Sequence, residues 1–419
     1  MRDLVRTAVG SDCVLEPAAA QQYRVRGQAP QVVAAPRTSE EAAALMQLAA
    51  REGLAVECAG AGTRLGGGNA GARIDLVITS AAMTSVTEYE PADLVITVMA
   101  GASLAQLADT VTPHNQFIAL DPAVSPRATI GGTVATGAAG PLRFAHGTPR
   151  DQTLGIEIVT GDGRVMHFGG RVVKNVAGYD IVRIMTGSRG TLGFITRVSM
   201  RLKPQPEVDR TAIVNADSFS AIADVADTIM ATRLDPAALE IVSGPLARQL
   251  FGNAGWLLLA RVHGNPDAVG DALERIRSLA GAALVRVAEG AACWGELTAL
   301  EAAARVNIRF ANLPSRLRDT TATALSAAER GGLDQTRIAI HAGDGIVRVM
   351  ADATASAAPD VMRDARAAME QRGGTLIVER MANGAALDAF GHTDNLKLMT
   401  GIKKVFDPAG ILGGGRFVV

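Results

Sequence analysis

The residues of this sequence that are best suited to binding chemistry are glycines grouped in short loops. Within residues 129–204, an early group of four and a late group of three interrupt short apolar segments: Gly131, Gly132, Gly137 and Gly140, then Gly187, Gly190 and Gly193. Glycine weakens regular structure, so this density needs a compensating gain. The usual gain is a close approach of the backbone to a ligand, whose phosphates or ring atoms accept hydrogen bonds from main-chain N–H groups. Because the glycines span more than one turn, they predict a large ligand.

Another glycine-rich loop lies earlier, at residues 59–68 (AGAGTRLGGG), directly after a predicted strand at residues 54–58. A dinucleotide fingerprint, G-x-G-x-x-G, would match Gly60 and Gly62 but not Leu65 in the third place, and a Walker A loop would need a lysine that this loop lacks. A loop whose successive amides wrap a pyrophosphate, with no helix N-terminus behind it, is compatible with the residues. A plain structural turn is compatible too, and the loop alone does not separate these two interpretations.

Length and composition restrict the class of protein. A chain of 419 residues is long enough for two to three domains. Its formal net charge of -1 gives no basic surface for nucleic acid or for an anionic membrane. There is no apolar run of about 18 residues to predict a spanning helix, and the N-terminus has no apolar signal region, which argues against secretion. The three cysteines, Cys13, Cys58 and Cys293, are far apart, so we expect reduced thiols in a cytoplasmic protein.

The hydrophobic pattern predicts an α+β fold. A first βαβ unit combines strands at residues 31–35 and 54–58 with a helix at residues 40–51, at whose start Thr38 and Glu41 have the spacing of a capping box. Mostly strand-like segments follow, up to a proline-marked boundary at residues 204–206. Strands and helices then alternate through the second half of the chain, with a strand at residues 238–242 and helices at residues 218–233, 266–280, 321–329 and 357–371 among them.

Five motifs occur in order along the first half of the chain: AGAGTRLGGG, TIGGTVATGAAG, HGTPRD, KNVAGYD and GSRGTLGFIT. Together they resemble the PCMH-type FAD-binding domain of the vanillyl-alcohol oxidase family, over residues 34–204. Within the family, the segment VKNVAGYDIVRIMTGSRGTLG is most similar to the FAD-binding E-type subunits of bacterial glycolate oxidases, relatives of the D-type subunits and of D-lactate dehydrogenases. The resemblance implies FAD as the cofactor.

The resemblance also implies a domain organisation. Residues 1–206 would form a PCMH-type FAD-binding domain of two subdomains. Residues 207–393 would form an α+β cap domain, an antiparallel sheet with helices on one face. Residues 394–419 would form a helix and a tail that return to the FAD domain.

The FAD contacts of the family can be carried over to matching positions. The first loop would hold the pyrophosphate through main-chain N–H groups, the 129–132 turn would meet the diphosphate and ribityl side, residues 136–140 would lie near the isoalloxazine, and Ile195 would face the adenine or ring edge. The implied cofactor-binding residues are Gly60, Ala61, Gly62, Thr63, Arg64, Leu65, Thr129, Gly131, Gly132, Thr136, Gly137, Gly140 and Ile195. The small residues Gly132 and Gly137 would leave space that FAD needs. Covalently flavinylated members place a histidine in the first loop; this loop has none, so we expect dissociable FAD.

The cap departs from the pattern of the D-type relatives. Their H-x-GDGN-x-H segment supplies metal or substrate contacts, whereas this chain keeps His341 but has isoleucine and Arg348 in place of the asparagine and the second histidine. No metal site is therefore predicted, and His341 is expected to be a turn histidine with local hydrogen bonds. In the tail, three glycines at residues 413–415 replace the Asn-Pro-Gly of relatives, which leaves a flavin contact there open.

Oxidation of a 2-hydroxy acid needs a base for the hydroxyl proton and a cationic group for the carboxylate, beside the FAD that accepts the hydride. Lys174, Asn175 and Tyr179 are candidates to approach the flavin, and Arg309 or Arg348 to bind the carboxylate. A structural role remains open for each of the five.

The leading hypothesis is the FAD-binding subunit of a glycolate oxidase or dehydrogenase, which oxidises glycolate to glyoxylate beside a D-like FAD subunit and an iron–sulfur subunit. The cysteines of this chain lack iron–sulfur spacing, so electrons would leave through a partner. Any membrane association would also come through partners. The alternatives are a stand-alone FAD-linked D-2-hydroxyacid dehydrogenase and a non-catalytic assembly subunit.

Overall fold

The structure is a computed structural model that describes residues 1–69, 71, 73–123, 126–170, 179–252, 255–281, 285–333, 335–352, 358–381 and 387–418. Helices and strands are mixed along the chain, and the strands form both parallel and antiparallel sheets, in agreement with the predicted α+β class. In the part of the chain that is described, none of the helices combines the length and the apolar character needed to cross a membrane.

The first sheet has three short parallel strands in the order β1-β3-β2. The elements that build this subdomain are α1 (Arg2–Val9), α2 (Pro17–Ala20), β1 (Val32–Ala34), α3 (Ser39–Glu52), β2 (Val56–Ala59) and β3 (Leu76–Thr79). The apolar face of α3 packs on the sheet through residues such as Leu45 and Leu48, which are buried with Leu76 and Ile78. The first glycine loop starts where β2 ends, so the sheet fixes its position.

The start of α3 differs in one detail from the predicted capping box. Thr38 Oγ1 accepts a hydrogen bond from the N–H of Glu41 at 3.2 Å, as predicted. The Glu41 carboxylate, however, accepts from the N–H of Arg37 at 2.7 Å rather than from Thr38. Arg37 adds an ion pair to the same carboxylate, which explains why the glutamate turns one residue further back.

The second sheet is antiparallel, with five strands in the order β4-β5-β9-β7-β8. The elements of this part are β4 (Val86–Glu90), β5 (Val95–Met99), α4 (Leu104–Val111), β6 (Gln116–Phe117), α5 (Ile130–Thr136), α6 (Arg143–His146), α7 (Pro149–Gln152), β7 (Thr153–Val159), β8 (Val165–Gly169), α8 (Ile181–Met185), β9 (Phe194–Arg201) and β10 (Lys203–Pro204). Helix α5 packs against β9, with Ile130 and Val134 buried beside Val198. This contact sets the 129–132 turn opposite the first glycine loop.

The cap is built on an antiparallel sheet of eight strands in the order β14-β11-β13-β12-β16-β17-β15-β18. Its elements are β11 (Val208–Ala216), α9 (Phe219–Met230), β12 (Ala238–Val242), α10 (Gly244–Phe251), β13 (Trp256–Gly264), α11 (Pro266–Ala280), β14 (Val285–Glu289), α12 (Ala292–Ala303), β15 (Val306–Ala311), α13 (Leu317–Arg330), β16 (Arg337–His341), β17 (Ile346–Ala351), α14 (Pro359–Glu370) and β18 (Thr375–Arg380).

Helices lie on both faces of the cap sheet, so the expectation of helices on one face was wrong. Helices α9, α11, α13 and α14 bury the main apolar core on one face. Helices α10 and α12 cover part of the other face, where Trp294 and Leu257 are buried. Strand residues alternate between these two cores, as the period of two in a strand requires. The rest of the second face is charged and faces the FAD-binding half, because Gly343 in the turn after β16 packs against Phe144 of α6.

The end of the chain returns to the first sheet. Helix α15 (Leu396–Phe406) is followed by residues that form a parallel bridge between Leu412 and Val56, and Ile411 and Leu412 are buried in the core of the first sheet. The ammonium of Lys403 fixes this turn, since it donates to the carbonyls of Thr191 and Leu412 and to the carboxylate of Asp407, at 2.7–2.8 Å.

Candidate functional site

A cavity of about 930 Å³, which includes its solvent-filled mouth, lies between the first sheet, the 129–136 segment and the returning tail. The first glycine loop forms one wall. The turn into α5 and residues 189–195 form the opposite wall. Gly413, Arg416 and Phe417 of the tail complete the lining.

Most residues carried over as FAD contacts come together around this cavity. The ones that line it are Gly60, Ala61, Gly62, Thr63, Arg64, Leu65, Thr129, Gly131, Gly132, Thr136 and Ile195. Gly137 and Gly140 are not part of the lining. They lie just beyond it, on the continuation of the 129–136 segment, where they pack against protein.

The glycines do not all serve the purpose that the sequence suggested. A Cβ on Gly131 would lie 2.6 Å from the Cβ of Ala100, and one on Gly140 would overlap the carbonyl of Asp121. These two glycines therefore allow protein segments to pack against each other. Gly137 has a φ of 61° and ends α5 in the left-handed conformation, a position that favours glycine.

Gly132 is different, because its free side faces the cavity. A Cβ there would lie 3.1 Å from Thr129 Oγ1, which itself accepts a hydrogen bond from the N–H of Gly132 at 3.2 Å. A Cβ on Gly60, across the cavity wall, would overlap the same hydroxyl. Thr129 thus holds the two glycine-rich walls together, and side chains larger than glycine at residue 132 would enter the space between them. This cradle of small residues fits a flat, elongated cofactor.

Several residues that line the cavity were not predicted from the sequence. Arg416 Nη1 and Nη2 donate to the carbonyls of Leu65 and Gly67 at 3.2 and 2.6 Å, and its Nε lies 3.3 Å from the Glu57 carboxylate. The first glycine loop is therefore held by an arginine of the tail. The glycine-rich tail sequence hinted at a role here, but nothing in it named the loop as its partner.

Arg189 is the second residue that the sequence did not single out. It lies between Gly187 and Gly190 and has a φ of 56°, which is unusual for a residue with a side chain. Its guanidinium lies 4.9 Å from the centre of the Phe390 ring, and it makes no hydrogen bond from its side chain to another described residue. Phe390 in turn packs edge-on against Phe417. Arg189 is also part of the cavity lining.

The charge of the lining is positive. Arg64, Arg189 and Arg416 contribute three guanidinium groups, against the single carboxylate of Glu57. Burial raises the pKa of Glu57 to about 7, although Arg416 opposes the shift. Burial likewise lowers the pKa of Arg189 to about 10, which Glu379 opposes. This excess of positive charge favours an anionic ligand such as a diphosphate.

Two of the three catalytic candidates, Lys174 and Asn175, lie outside the described residues. Tyr179 is described, but its side chain is 92% exposed and does not line the cavity. The two arginines of the cap, Arg309 and Arg348, belong instead to a charged cluster on the inner face of the cap sheet.

Arg348 lies at the centre of that cluster. Its Nη1 donates to Glu379 Oε2 at 2.7 Å and lies 3.1 Å from Glu301 Oε1, and its Nε donates to His341 Nε2 at 3.2 Å. Its side chain is only 7% exposed. Burial alone would lower the pKa of Arg348, but Glu301 and Glu379 raise it above its ordinary value. The guanidinium is therefore permanently charged and fully engaged.

His341 is not a turn histidine, as was expected, but a buried residue at the end of β16. Its Nδ1 lies 2.5 Å from Glu240 Oε1 on the neighbouring strand, without a hydrogen bond between the two atoms. Because Nε2 accepts from Arg348, the neutral ring carries its proton on Nδ1. Burial and then Arg348 lower the pKa of His341 to about 3, which keeps the ring neutral.

Glu379 links this cluster with the cavity. Its Oε1 lies 3.2 Å from Arg309 Nε, and its backbone carbonyl lies against Gly67 of the first loop. Burial would raise the pKa of Glu379, but Arg348 and Arg309 lower it far below its ordinary value. Within the described residues, no group of three or more histidine, cysteine or acidic side chains is arranged to hold a metal ion.

Comparison with known proteins agrees with this architecture. Residues 30–169 match the model of an FAD binding domain, and residues 205–417 match the model of the C-terminal domain of FAD linked oxidases. The first match covers the first glycine loop and the turn into α5, up to the end of β8, and the second covers the cap and the tail.

Two curated relatives and one solved structure illustrate the likeness. The chain is 31% identical over 216 residues to glycolate oxidase subunit GlcD of Bacillus subtilis (strain 168), a match to 52% of this chain and 46% of that protein. It is 35% identical over 189 residues to glycolate oxidase subunit GlcE of Escherichia coli (strain K12), a match to 45% of this chain and 51% of that one. The chain thus spans about half the length of these relatives. The structure of 4-ethylphenol oxidase from Gulosibacter chungangensis has the same fold, with a TM-score of 0.76 at 16% identity over 99% of this chain and 96% of that one.

Proposed function

Because the chain belongs to the family of FAD-linked oxidases and binds FAD, we propose that it is the FAD-binding subunit of a glycolate oxidase-type complex. In that role it contributes to the oxidation of glycolate to glyoxylate and passes electrons to partner subunits. The partners are a D-like FAD subunit and an iron–sulfur subunit. The likeness to glycolate oxidase subunits supports this assignment.

The cavity between the two glycine-rich walls is the observation on which the proposal depends. The first loop and Thr129 line it, and the absence of a side chain at Gly132 leaves space beside them. Three arginines give the lining the charge that a diphosphate requires. When bound, FAD would supply the hydride acceptor that none of the side chains can provide.

The residues of this chain would hold the cofactor without a covalent bond. The first loop and Arg416 would fix the pyrophosphate, and Thr129 would fix the distance between the walls. None of the residues of the first loop, residues 59–68, is a histidine that could be flavinylated. We therefore propose that FAD dissociates from the folded chain.

On the cap side, Arg309 is the arginine best suited to meet the carboxylate of a 2-hydroxy acid. Its side chain is 25% exposed and shares Glu379 with Arg348, whereas Arg348 is 7% exposed and bonded on three sides. The Nε2 lone pair of His341 accepts from Arg348 and its Nδ1 carries the proton of the neutral ring, so no lone pair is free to accept a proton from substrate. This favours the subunit of a complex over a stand-alone D-2-hydroxyacid dehydrogenase.

The proposal is tested with the purified chain alone and after co-expression with its two partner subunits. We would record flavin absorbance, release the flavin by heat and identify it as FAD, and assay glycolate with an artificial electron acceptor. We expect the purified chain to be yellow from bound flavin but not to oxidise glycolate by itself. The complex with the two partner subunits should oxidise glycolate. Turnover by the chain alone would support the stand-alone dehydrogenase, and a colourless chain in an active complex would support an assembly subunit.

A further inference from the structure

We propose that the guanidinium of Arg348 is a built-in replacement for a divalent metal ion: it occupies the centre of a set of metal-type donors in the cap and makes the site independent of metal. The donors are the imidazole of His341 and the carboxylates of Glu301 and Glu379. All three approach one guanidinium, at 3.2, 3.1 and 2.7 Å.

The donor set has the composition of a transition-metal site. An imidazole nitrogen and two carboxylates are ligands that Zn²⁺, Co²⁺ and Mn²⁺ take in proteins. The other nitrogen of His341 lies 2.5 Å from the carboxylate of Glu240, the type of group that metal-binding histidines usually have beside them.

The position of Arg348 in the sheet explains how one side chain reaches all three donors. Arg348 pairs with Ala339 on β16, two residues before His341 on the same face of that strand. On the other side, β15 separates β17 from β18, and Glu379 is the extra residue of a bulge, since Ile308 pairs with Val378 and Asn307 with Arg380. Glu301 comes from α12, which covers the neighbouring part of the same face.

The charge balance makes the cation necessary. The side chains of Glu301 and Glu379 are 6% and 14% exposed, so two carboxylates lie out of water. Buried carboxylates require a positive partner or must become protonated. A metal ion meets this need but can be removed by a chelator, whereas a guanidinium cannot be removed or deprotonated. The site therefore keeps its charge in any metal environment.

The first experiment measures metal binding by the full-length chain, after removal of metals, with Co²⁺ as the probe. Wild-type protein is compared with the Arg348→His variant, in which a second imidazole joins His341 and the two carboxylates. We expect no stoichiometric Co²⁺ in the wild type. In Arg348→His we expect about one equivalent, with a visible absorption spectrum that the added change His341→Ala abolishes.

The control is Arg309→His, the same chemical change on the neighbouring strand. Arg309 contacts only Glu379 of this donor set, and Arg348 remains in place, so we expect no Co²⁺ spectrum. One equivalent of Co²⁺ in the wild type, with a spectrum that depends on His341, would overturn the proposal. So would a folded Arg348→His variant that binds no Co²⁺.

A second experiment does not depend on the folding of the histidine variant. The melting temperature of the wild type is measured with EDTA and with Zn²⁺, and we expect the same value in both. Arg348→Lys keeps a cation and should remain close to the wild type, whereas Arg348→Met should melt about 5–10 °C lower because it leaves the buried Glu301 without its arginine and Glu379 with Arg309 alone. A wild type that loses several degrees in EDTA, or an Arg348→Met variant as stable as the wild type, would contradict the replacement.

Discussion

Arg309 and Arg348 lie directly opposite each other on the neighbouring strands β15 and β17, yet both bind the same carboxylate. Like charges in directly opposed positions destabilise a sheet. Glu379 removes the conflict because it offers one oxygen to each arginine, Oε1 to Arg309 and Oε2 to Arg348. The Glu379 carboxylate on β18 therefore allows two arginines to lie opposite each other on the inner face of the cap sheet.

The first prediction follows from this arrangement. Glu379→Gln leaves two half-buried or buried guanidinium groups without their shared anion, so we expect the free energy of unfolding to fall by about 3–5 kcal/mol. Denaturant titration of the apo protein measures the change. The double variant Arg309→Met/Glu379→Gln should lose less than the sum of the two single variants, and strict additivity would show that the pair is not coupled.

The second prediction concerns Gly132. In Gly132→Val the added methyl groups enter the cavity, and we expect the affinity for FAD to fall about 10- to 100-fold. Flavin content and fluorescence titration measure it. Gly270→Ala is the matched control, since Gly270 lies in α11 with open space at its Cβ, and the change should leave FAD content unaltered. An unchanged FAD content in Gly132→Val would mean that the cofactor lies elsewhere.

The third prediction tests the hold of the tail on the first loop. Arg416→Ala removes both hydrogen bonds to the loop carbonyls, and we expect FAD to bind about 10- to 100-fold more weakly, since bonds from charged donors are stronger than average. Arg416→Lys should recover part of the affinity. Arg330→Ala, a surface arginine paired with Asp364, serves for comparison and should bind FAD as the wild type does. Equal affinity in all variants would separate the tail from the site.

The fourth prediction is a pH dependence from Glu57. Its pKa is about 7 in the folded chain, against an ordinary value of 4.5, because it is buried. The folded state keeps this proton where the unfolded state has released it, so stability from this group falls as the pH rises from 4.5 to 7. Glu57→Gln should remove that part of the slope, of the order of 2–3 kcal/mol over the interval.

Denaturant titrations of apo protein at several pH values measure this difference. The exposed Glu274 provides the control, because Glu274→Gln should leave the pH profile as it is. Parallel profiles for the wild type and Glu57→Gln would show that Glu57 is ionised throughout the range.

Local signals in the sequence were sufficient for many elements of the fold. Helix α11 has the bounds predicted for it, Pro266–Ala280, because Asn265 caps it and Pro266 suits its first turn. Strand β12 also has its predicted bounds. Helices α10 and α12 were missed. Both begin without a side-chain cap: Ser243 uses its hydroxyl to accept from Ile338 instead, and α12 starts at an alanine.

The site could be predicted only in part, because some of its residues depend on distant partners. The glycine loops carry a local signal, and the resemblance identified the ligand. The roles of Arg189 and Arg416 depend on contacts with segments that are far away in the sequence, and no local pattern predicts such contacts. The same is true of Gly131 and Gly140, where a Cβ would meet Ala100 and Asp121.

The link between Arg416 and the first loop has a consequence for biosynthesis. Leu65 and Arg416 are 351 positions apart, with the whole cap between them. As the nascent chain leaves the ribosome, its earliest sheet keeps an open edge at Val56 until Leu412 has been made. We therefore expect cofactor loading to await translation of the segment that carries Leu412 and Arg416, and a chain interrupted within the cap should accumulate without flavin.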